Sequence, residues 1–227
     1  MEYWQGKDIR KEKKILILGE SHYEERNADT DKMRGKPLKK GETMGDISYY
    51  LRLKEEGNHK SWMNFFDKIA ASFGYDSPKE FYDSVFFANY IDVYCGTGDN
   101  SAEKYLADVN NRERLNDGLF EFVNENEISV IVCFGKRAYR SMPGLNKKAG
   151  EFDSSEVTGR IGDSNRNRIA QMCQYRKDSE HANCNTPLKK DLTVYAIGHP
   201  SAPNGYVVEQ VRDYLGRCQE LAGFVKG

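Results

Sequence analysis

Short, continuous apolar runs alternate along this chain with longer segments in which apolar residues recur at helical spacing. Four runs are rich in aliphatic and aromatic residues, as is typical of strands buried on both faces: Lys14–Leu18, Val85–Tyr90, Val130–Phe134 and Thr193–Ile197. Helical periodicity is found in residues 61–74, 101–127 and 205–224, and the second of these is consistent with one long helix or two short ones. This alternation predicts an α/β fold whose parallel sheet is covered by helices on both faces.

Two polar segments interrupt the alternation. Glu24–Gly45 follows the first predicted strand and is interpreted as a long loop, and Gly144–Asp191 is interpreted as a polar insertion. Long loops in a compact domain are usually functional or mobile. With 227 residues, the chain is expected to form one domain, 1–227, that carries the insertion at about 144–191.

Composition and charge exclude several classes of function. Charged residues make up 30% of the chain but the formal net charge is −1, so no overall positive field attracts nucleic acid. No apolar stretch approaches the length of a membrane helix, and the charged N-terminal segment lacks the apolar region of a secretory signal. Five widely spaced cysteines without a CxxC pair indicate reduced thiols and a cytoplasmic location, with no membrane partner.

Polar, ionisable residues follow two of the predicted strands directly after a glycine. The run "ILILGESHY" ends with Gly19, Glu20, Ser21, His22 and Tyr23, and the run "YAIGHPSAPNGY" continues with Gly198, His199, Pro200 and Ser201. In open parallel sheets, ligands bind outside the carboxyl ends of the strands. We therefore expect these two groups of residues to face each other across one pocket, although either could also be an ordinary polar turn.

Two further strand ends add candidates to this pocket. Asn89 lies in the otherwise apolar run "VFFANYIDVY", where a buried amide is costly unless it is paired. It is either a structural amide that binds neighbouring backbone or a reader of a ligand edge that carries a donor and an acceptor. Lys136 and Arg137 follow Gly135 in "CFGKRAY", a weak candidate for binding phosphate.

One group of residues raises the question of a metal site. Cys173, His181 and Cys184 cluster in the polar insertion and could in principle hold zinc. Structural zinc requires four ligands at tight spacing, so ordinary loop or partly buried side chains are the better interpretation. We expect no metal and no cofactor.

Taken in order, the four stretches "ILILGESHY", "VFFANYIDVY", "VIVCFGKRAY" and "YAIGHPSAPNGY" resemble the motif strands of the uracil-DNA glycosylase superfamily. There the first motif reads like GQDPY or GEAPG and the last like HPSPLS or HPA. The resemblance covers four strands spread over almost the whole chain, with no counterpart for the insertion. It implies a three-layer α/β/α sandwich with a central four-stranded parallel sheet, DNA as the partner, and excision of a flipped base.

The resemblance also implies a role for individual residues. Asn89 is expected to read the uracil edge, Tyr23 to close the C5 side, and Gly19 to let the base approach. His199 is expected to stabilise negative charge that develops on the pyrimidine oxygen. The loop expected to press on the DNA contains Ser201, Ala202, Pro203 and Asn204, and the segment "GETMGDIS" is a further candidate for a wall of the base pocket.

The chain departs from the superfamily pattern at several positions. Ser21 stands where members with GQDPY have the water-activating aspartate, which leaves Glu20 and His22 as the candidates for that role. The DNA-facing loop lacks a large aliphatic wedge. Members with GEAPG carry a four-cysteine iron–sulfur cluster, and the cysteine spacing here does not match it. A local basic rim is predicted from Arg34, Lys36, Lys39, Lys40, Lys136 and Arg137.

Two other classes of function are compatible with the same residues. In a small-molecule esterase or hydrolase, Ser21 is the nucleophile with His199 as base, or Glu20 and His22 of "GESH" activate water. Serine hydrolases of the first kind place an aspartate three residues before the histidine, where this chain has Ala196. In a non-catalytic member of the fold, the pocket binds a nucleobase or nucleic acid without cleaving it.

Overall fold

The fold was analysed on a computed structural model, which describes residues 1–23, 35–96, 101–144, 157–160, 169–201 and 205–226. In these residues the strands are β1 (Tyr3–Gln5), β2 (Ile15–Gly19), β3 (His22–Tyr23), β4 (Phe86–Asn89), β5 (Tyr94–Cys95), β6 (Val130–Phe134), β7 (Val157–Arg160), β8 (Ile169–Tyr175) and β9 (Leu192–Ile197). The helices are α1 (Glu42–Glu55), α2 (Met63–Ser72), α3 (Pro78–Asp83), α4 (Ala102–Ala107), α5 (Val109–Asn126), α6 (Lys136–Ser141) and α7 (Val208–Gly216), followed by a 3-10 turn at Gln219–Leu221.

The main sheet has the strand order β1-β4-β2-β6-β9-β8-β7 in the described part of the chain. The four strands predicted from the sequence are its centre, and each is parallel to its neighbour within that group. Strand β1 is antiparallel to β4 on one side, while β8 and β7 add two antiparallel strands on the other. The α/β class is confirmed. The predicted central sheet of four parallel strands is part of a larger sheet, because antiparallel strands extend both sides.

Alternate residues of the central strands enter two separate hydrophobic cores. In β2, Ile15 and Ile17 pack into the core that contains α1, α2, α3 and α7. Leu16 and Leu18 point to the other face and pack with α4, α5 and α6. Because both faces of the sheet are covered, every residue of β2 is buried, which explains its continuous apolar run.

The helices follow the predicted periodicity, with one addition. The segment 101–127 forms two helices, and the carboxylate of Asp108 between them accepts from the amide of Asn110 to cap α5. Helix α1 was not predicted: residues 42–45 were assigned to the loop, yet α1 begins at Glu42. Its inner residues are buried, including Ile47 and Tyr50. No helix in the described ranges is both long enough and apolar enough to cross a membrane.

The described part of the polar insertion, residues 157–160 and 169–191, contains two strands of the main sheet. Strand β8 pairs with β9, and the segment after β8 is bound to α5 through side chains that meet its backbone. The carboxamide of Asn116 donates to the carbonyl of Asn183, and the carboxylate of Asp117 accepts from the amides of Asn185 and Thr186. A polar sequence forms a strand here because main-chain pairing with β9 and these bonds replace apolar burial.

Candidate functional site

The carboxyl ends of the four parallel strands lie at one edge of the sheet. Asn89 ends β4, Gly19 ends β2, Gly135 follows β6, and Gly198 follows β9. From β4 to β9 the sheet spans three strand spacings of about 4.8 Å, so the outer two strand ends are on the order of 14 Å apart. The two glycine-histidine motifs therefore belong to the same edge, as the sequence predicted.

Gly19 provides room for the side chain of Asn89. The two residues are paired across β2 and β4, and the amide oxygen of Asn89 occupies the space that a Cβ atom on Gly19 would need. Asn89 is half-buried, and its carboxamide makes no hydrogen bond within the described residues. A half-buried amide without a partner is poised to bind a ligand that offers a donor and an acceptor.

Glu20 lies between the ends of β2 and β6. Its carboxylate accepts from the guanidinium of Arg137 at 3.0 Å, and its side chain is 11% exposed. A Cβ on Gly135 would be 3.4 Å from the Cβ of Glu20, so the absence of a side chain at Gly135 leaves space beside the carboxylate. Glu20 is therefore an oriented, largely buried negative charge at the centre of the edge.

His199 uses one of its two ring nitrogens to shape its own loop. The backbone amide of Ser201 donates to Nδ1 at 3.2 Å, so Nδ1 is unprotonated and Nε2 carries the hydrogen. Burial lowers the pKa of His199, while the nearby charge of Glu20 acts in the opposite direction. The imidazole is therefore a neutral donor, and Nε2 has no partner in the residues that the structure describes.

Helix α2 holds the His199 loop in place. The ring of Phe65 lies against the imidazole, with centroids 5.0 Å apart at 31°. One turn further, the ammonium of Lys68 donates to the carbonyl of Pro200 at 2.9 Å. Another turn on, the hydroxyl of Ser72 is 2.7 Å from that of Tyr206. Three successive turns of α2 thus contact three points of one loop and restrict the position of His199.

His22 is bound on both ring nitrogens and faces α1. Its Nδ1 is 2.9 Å from the carboxylate of Asp46, and its Nε2 is 3.2 Å from the hydroxyl of Thr43. The residue is 8% exposed. Because the carboxylate accepts from Nδ1, a neutral His22 accepts at Nε2 from Thr43, and no nitrogen is left to activate water. The segment "GETMGDIS" therefore contacts the first motif through His22.

Ser21 and Tyr23 are the other two residues of the first motif, and of Tyr23 only the backbone is described. Ser21 is buried beside Cys95, and its hydroxyl has no hydrogen-bonded imidazole among the described residues. Burial raises the pKa of the Cys95 thiol, and the Ser21 hydroxyl partly offsets that rise. The backbone of Tyr23 pairs with Cys95, while its side chain lies outside the described part of the chain.

The residues predicted to contact DNA are only partly described. Ala202, Pro203 and Asn204, together with Arg34 of the basic rim, lie outside the described residues. Arg137 is paired with Glu20 rather than free. Burial and the charge of Arg140 lower the pKa of Lys136. Ser201 is exposed at the start of its loop.

The predicted basic rim continues in three exposed lysines that lie beside the β4 end. The backbone around Lys36 pairs with residues 92–94, directly after β4. In this described stretch, Lys36, Lys39 and Lys40 are exposed and form no ion pair. Arg114, by contrast, is paired with Asp92, which follows β4. These lysines are therefore available to an anionic ligand.

Cysteine and histidine do not assemble a metal site in the described ranges, where no group of three or more His, Cys, Asp or Glu side chains is placed to hold an ion. His181 packs between the rings of Phe120 and Tyr175, and Cys184 bonds to the carbonyl of Thr186. Cys173 is fully buried. The three residues belong to the packing of the insertion.

The sequence missed the residues that support the two histidines. Phe65 was predicted only as part of the helical segment 61–74, and consecutive residues of a helix point about 100° apart, so Phe65 and Phe66 point in different directions. The two adjacent phenylalanines were the signal in the sequence that one of them points in another direction. Lys68 had none, because a charged residue on a helix is usually solvated, whereas Thr43 and Asp46 lie in the segment "GETMGDIS", which the sequence indicated only as a candidate wall of the base pocket.

No protein-family model and no curated protein sequence that was searched matches this chain.

Proposed function

We propose that the chain is a uracil-DNA-glycosylase-like protein that hydrolyses the N-glycosidic bond of a deaminated or damaged base in DNA. One observation carries this proposal: the carboxamide of Asn89, which has no partner among the described residues, and the Nε2–H of His199 lie at opposite ends of one strand edge, with the Glu20 carboxylate between them. An amide suits a base edge that has both a donor and an acceptor, and a neutral imidazole suits a base carbonyl.

His199 supplies the electrostatic part of the reaction. As the glycosidic bond breaks, its electron pair moves into the base, and negative charge develops on a base carbonyl oxygen. A neutral imidazole that donates from Nε2 stabilises that charge without first losing a proton to solvent. The bond from Ser201 to Nδ1 selects this tautomer, and the burial that lowers the pKa of His199 keeps it neutral.

Glu20 supplies the complementary charge. The sugar becomes cationic as the base leaves, and a carboxylate at the strand edge stabilises it and orients the attacking water. The guanidinium of Arg137 donates to the carboxylate at Oε1, and Oε2 lies beside Gly135. His22, the other candidate for this role, is occupied by Asp46 and Thr43. We therefore assign the water to Glu20 and the support of the first motif to His22.

The fold is compatible with the proposal. The strands β4-β2-β6-β9 form a contiguous parallel group with helices packed on both faces, which is the arrangement expected of a three-layer α/β/α sandwich. The unpaired lysines beside β4 provide a local attraction for phosphate that the net charge of −1 does not.

The hydrolase alternative has less support. A serine nucleophile needs a base within hydrogen-bonding reach. Among the described residues, the buried Ser21 hydroxyl has no such partner, and His22 is bound to Asp46 and Thr43. The other alternative is a non-catalytic protein that only binds a base. The excision experiment distinguishes it from a glycosylase.

Excision from labelled oligonucleotides that contain uracil, hypoxanthine or xanthine, in single and double strands, tests the proposal. We expect His199→Ala and Asn89→Ala each to reduce excision by about a hundredfold or more, because each removes a group aimed at the base. His59→Ala is the matched control, since His59 is exposed and bonds to Asn64. Release that both variants retain, or no release from any substrate, would contradict the assignment.

A further inference from the structure

An aromatic pair stands one helical turn outside the proposed base pocket. Tyr49 on α1 follows Asp46 by three residues, and Asp46 holds His22. Trp62, just before α2, precedes Phe65 by three residues, and Phe65 lies against His199. Residues three apart on a helix are surface neighbours, about 5 to 6 Å between Cβ atoms. The pair Tyr49–Trp62 therefore lies next to the supports of both histidine motifs.

The geometry of this pair suits a flat ligand. The two rings are nearly parallel at 19°, with centroids 6.1 Å apart. Tyr49 is 44% exposed, one of only three large hydrophobic residues so exposed in the described chain. The guanidinium of Arg52 lies 5.2 Å from the Tyr49 centroid. An exposed aromatic surface flanked by arginine is the arrangement on which nucleic-acid bases stack.

The charges around the pair favour an anionic strand. Lys36, Lys39 and Lys40 lead into α1, are exposed, and form no ion pair in the described residues. Two of the neighbouring acids have partners, since Asp46 binds His22, and Glu56 lies 3.9 Å from Arg52. A basic approach that leads to an aromatic surface matches a phosphate backbone with attached bases better than it matches an apolar peptide or a lipid surface.

We propose that Tyr49 and Trp62, assisted by Arg52, form a second base-binding site that stacks the nucleobase next to the one in the pocket, and that the preferred ligand is single-stranded. In a duplex the faces of the bases are already stacked on each other, so only a single strand offers them to a protein surface. The inference rests on the proposed function for the choice of ligand and names the form of nucleic acid that the site takes.

Tryptophan fluorescence tests this site without any catalytic step. The chain has two tryptophans, and Trp4 is 8% exposed and donates to the carbonyl of Tyr82, so Trp62 is the one that a base can reach. A uracil-free single strand of about ten nucleotides is expected to quench the fluorescence of the full-length protein. Quenching should disappear in Trp62→Phe and remain in Trp4→Phe.

Affinity for the same strand, measured by fluorescence anisotropy, tests the contribution of stacking. Tyr49→Ala is expected to weaken binding about tenfold, whereas Tyr49→Phe, which keeps the ring, should bind nearly as well as the wild type. Equal affinity of Tyr49→Ala and wild type, equal affinity for duplex and single strand, or quenching only by phospholipid vesicles would each overturn the proposal.

Excision separates this inference from the proposed reaction. If no base is released but binding depends on Tyr49, the second site stands and the reaction is wrong. If uracil is released and Tyr49→Ala leaves kcat/KM for single strands unchanged, the reaction stands and the second site is wrong.

Discussion

The two glycine-histidine motifs are similar in sequence and opposite in structure. In the first, Gly19 is covered by the amide of Asn89, and His22 is bound at both nitrogens. In the second, a Cβ on Gly198 would meet nothing within 4 Å, and His199 keeps Nε2 without a partner in the described residues. In the first motif the glycine makes room for the Asn89 amide, and the histidine is bound to α1. In the second motif the histidine is the residue that we propose contacts the ligand.

This difference shows that the role of a histidine after a strand depends on whether its second ring nitrogen already has a hydrogen-bond partner. Thr43 and Asp46 meet both nitrogens of His22, since α1 packs against the first motif. In the described residues, the ring of His199 forms a hydrogen bond only with Ser201, from its own loop. A residue whose bonding capacity is filled stabilises the fold, whereas one with an unfilled donor is available for chemistry.

The largest effect, on excision, is expected from replacing a motif glycine by alanine. Gly19→Ala places a methyl group against the amide oxygen of Asn89, which is the end of a flexible side chain and therefore moves. We expect excision to fall about a hundredfold, or about 2.7 kcal/mol, while the protein remains folded by circular dichroism. Gly198→Ala is the matched control, because it meets open space. Similar activity in the two variants would show that the two glycines do not differ.

A smaller effect, on the free energy of unfolding, is expected from replacing each motif histidine by alanine. His22→Ala leaves the buried hydroxyl of Thr43 without its partner and should lower the free energy of unfolding by about 1–3 kcal/mol. His199→Ala should change it by no more than about 0.5 kcal/mol, because its described polar contact is one bond within its own loop. Urea titration measures both. A larger loss in His199→Ala than in His22→Ala would reverse the comparison.

The smallest effect is a shift in pH dependence. The pKa of His199 is lowered in the folded protein, so the unfolded chain binds the proton more readily as the pH falls. The contribution of this residue to stability is therefore complete above the unfolded pKa of about 6.5 and is lost as the pH falls from there towards the lowered folded pKa. Activity that needs neutral His199 should likewise decline only below that range.

Removing the charge of Glu20 tests the cause of this shift. Glu20 raises the pKa of His199 against the effect of burial, so Glu20→Gln should move the imidazole titration, followed by NMR, to lower pH. Glu103→Gln, which removes a carboxylate on α4 that does not act on the pKa of His199, is the control and should leave the titration unchanged. A titration that moves to higher pH in Glu20→Gln would contradict the assigned proximity.

The central strands were predictable because their residue composition reflects their burial on both faces. A strand covered on both faces must be apolar at every position, and β6 was assigned with the same bounds as in the structure. Strands β7 and β8 and helix α1 were not predicted. Strand β8 joins the sheet through main-chain pairing with β9, which side-chain periodicity does not record. The inner face of α1 is apolar, but the polar residues before it obscured its start.

The sequence by itself determined the α/β class, the four central strands and the set of ionisable residues at their carboxyl ends, because burial and chain direction constrain residue type locally. Only the tertiary structure decided which of those residues are engaged. Helix α1 reaches His22, helix α2 reaches the His199 loop, and Arg137 reaches Glu20 from a separate strand end. Hydrogen bonds between side chains distant in sequence leave no periodic pattern, so their partners become known only when the chain is folded.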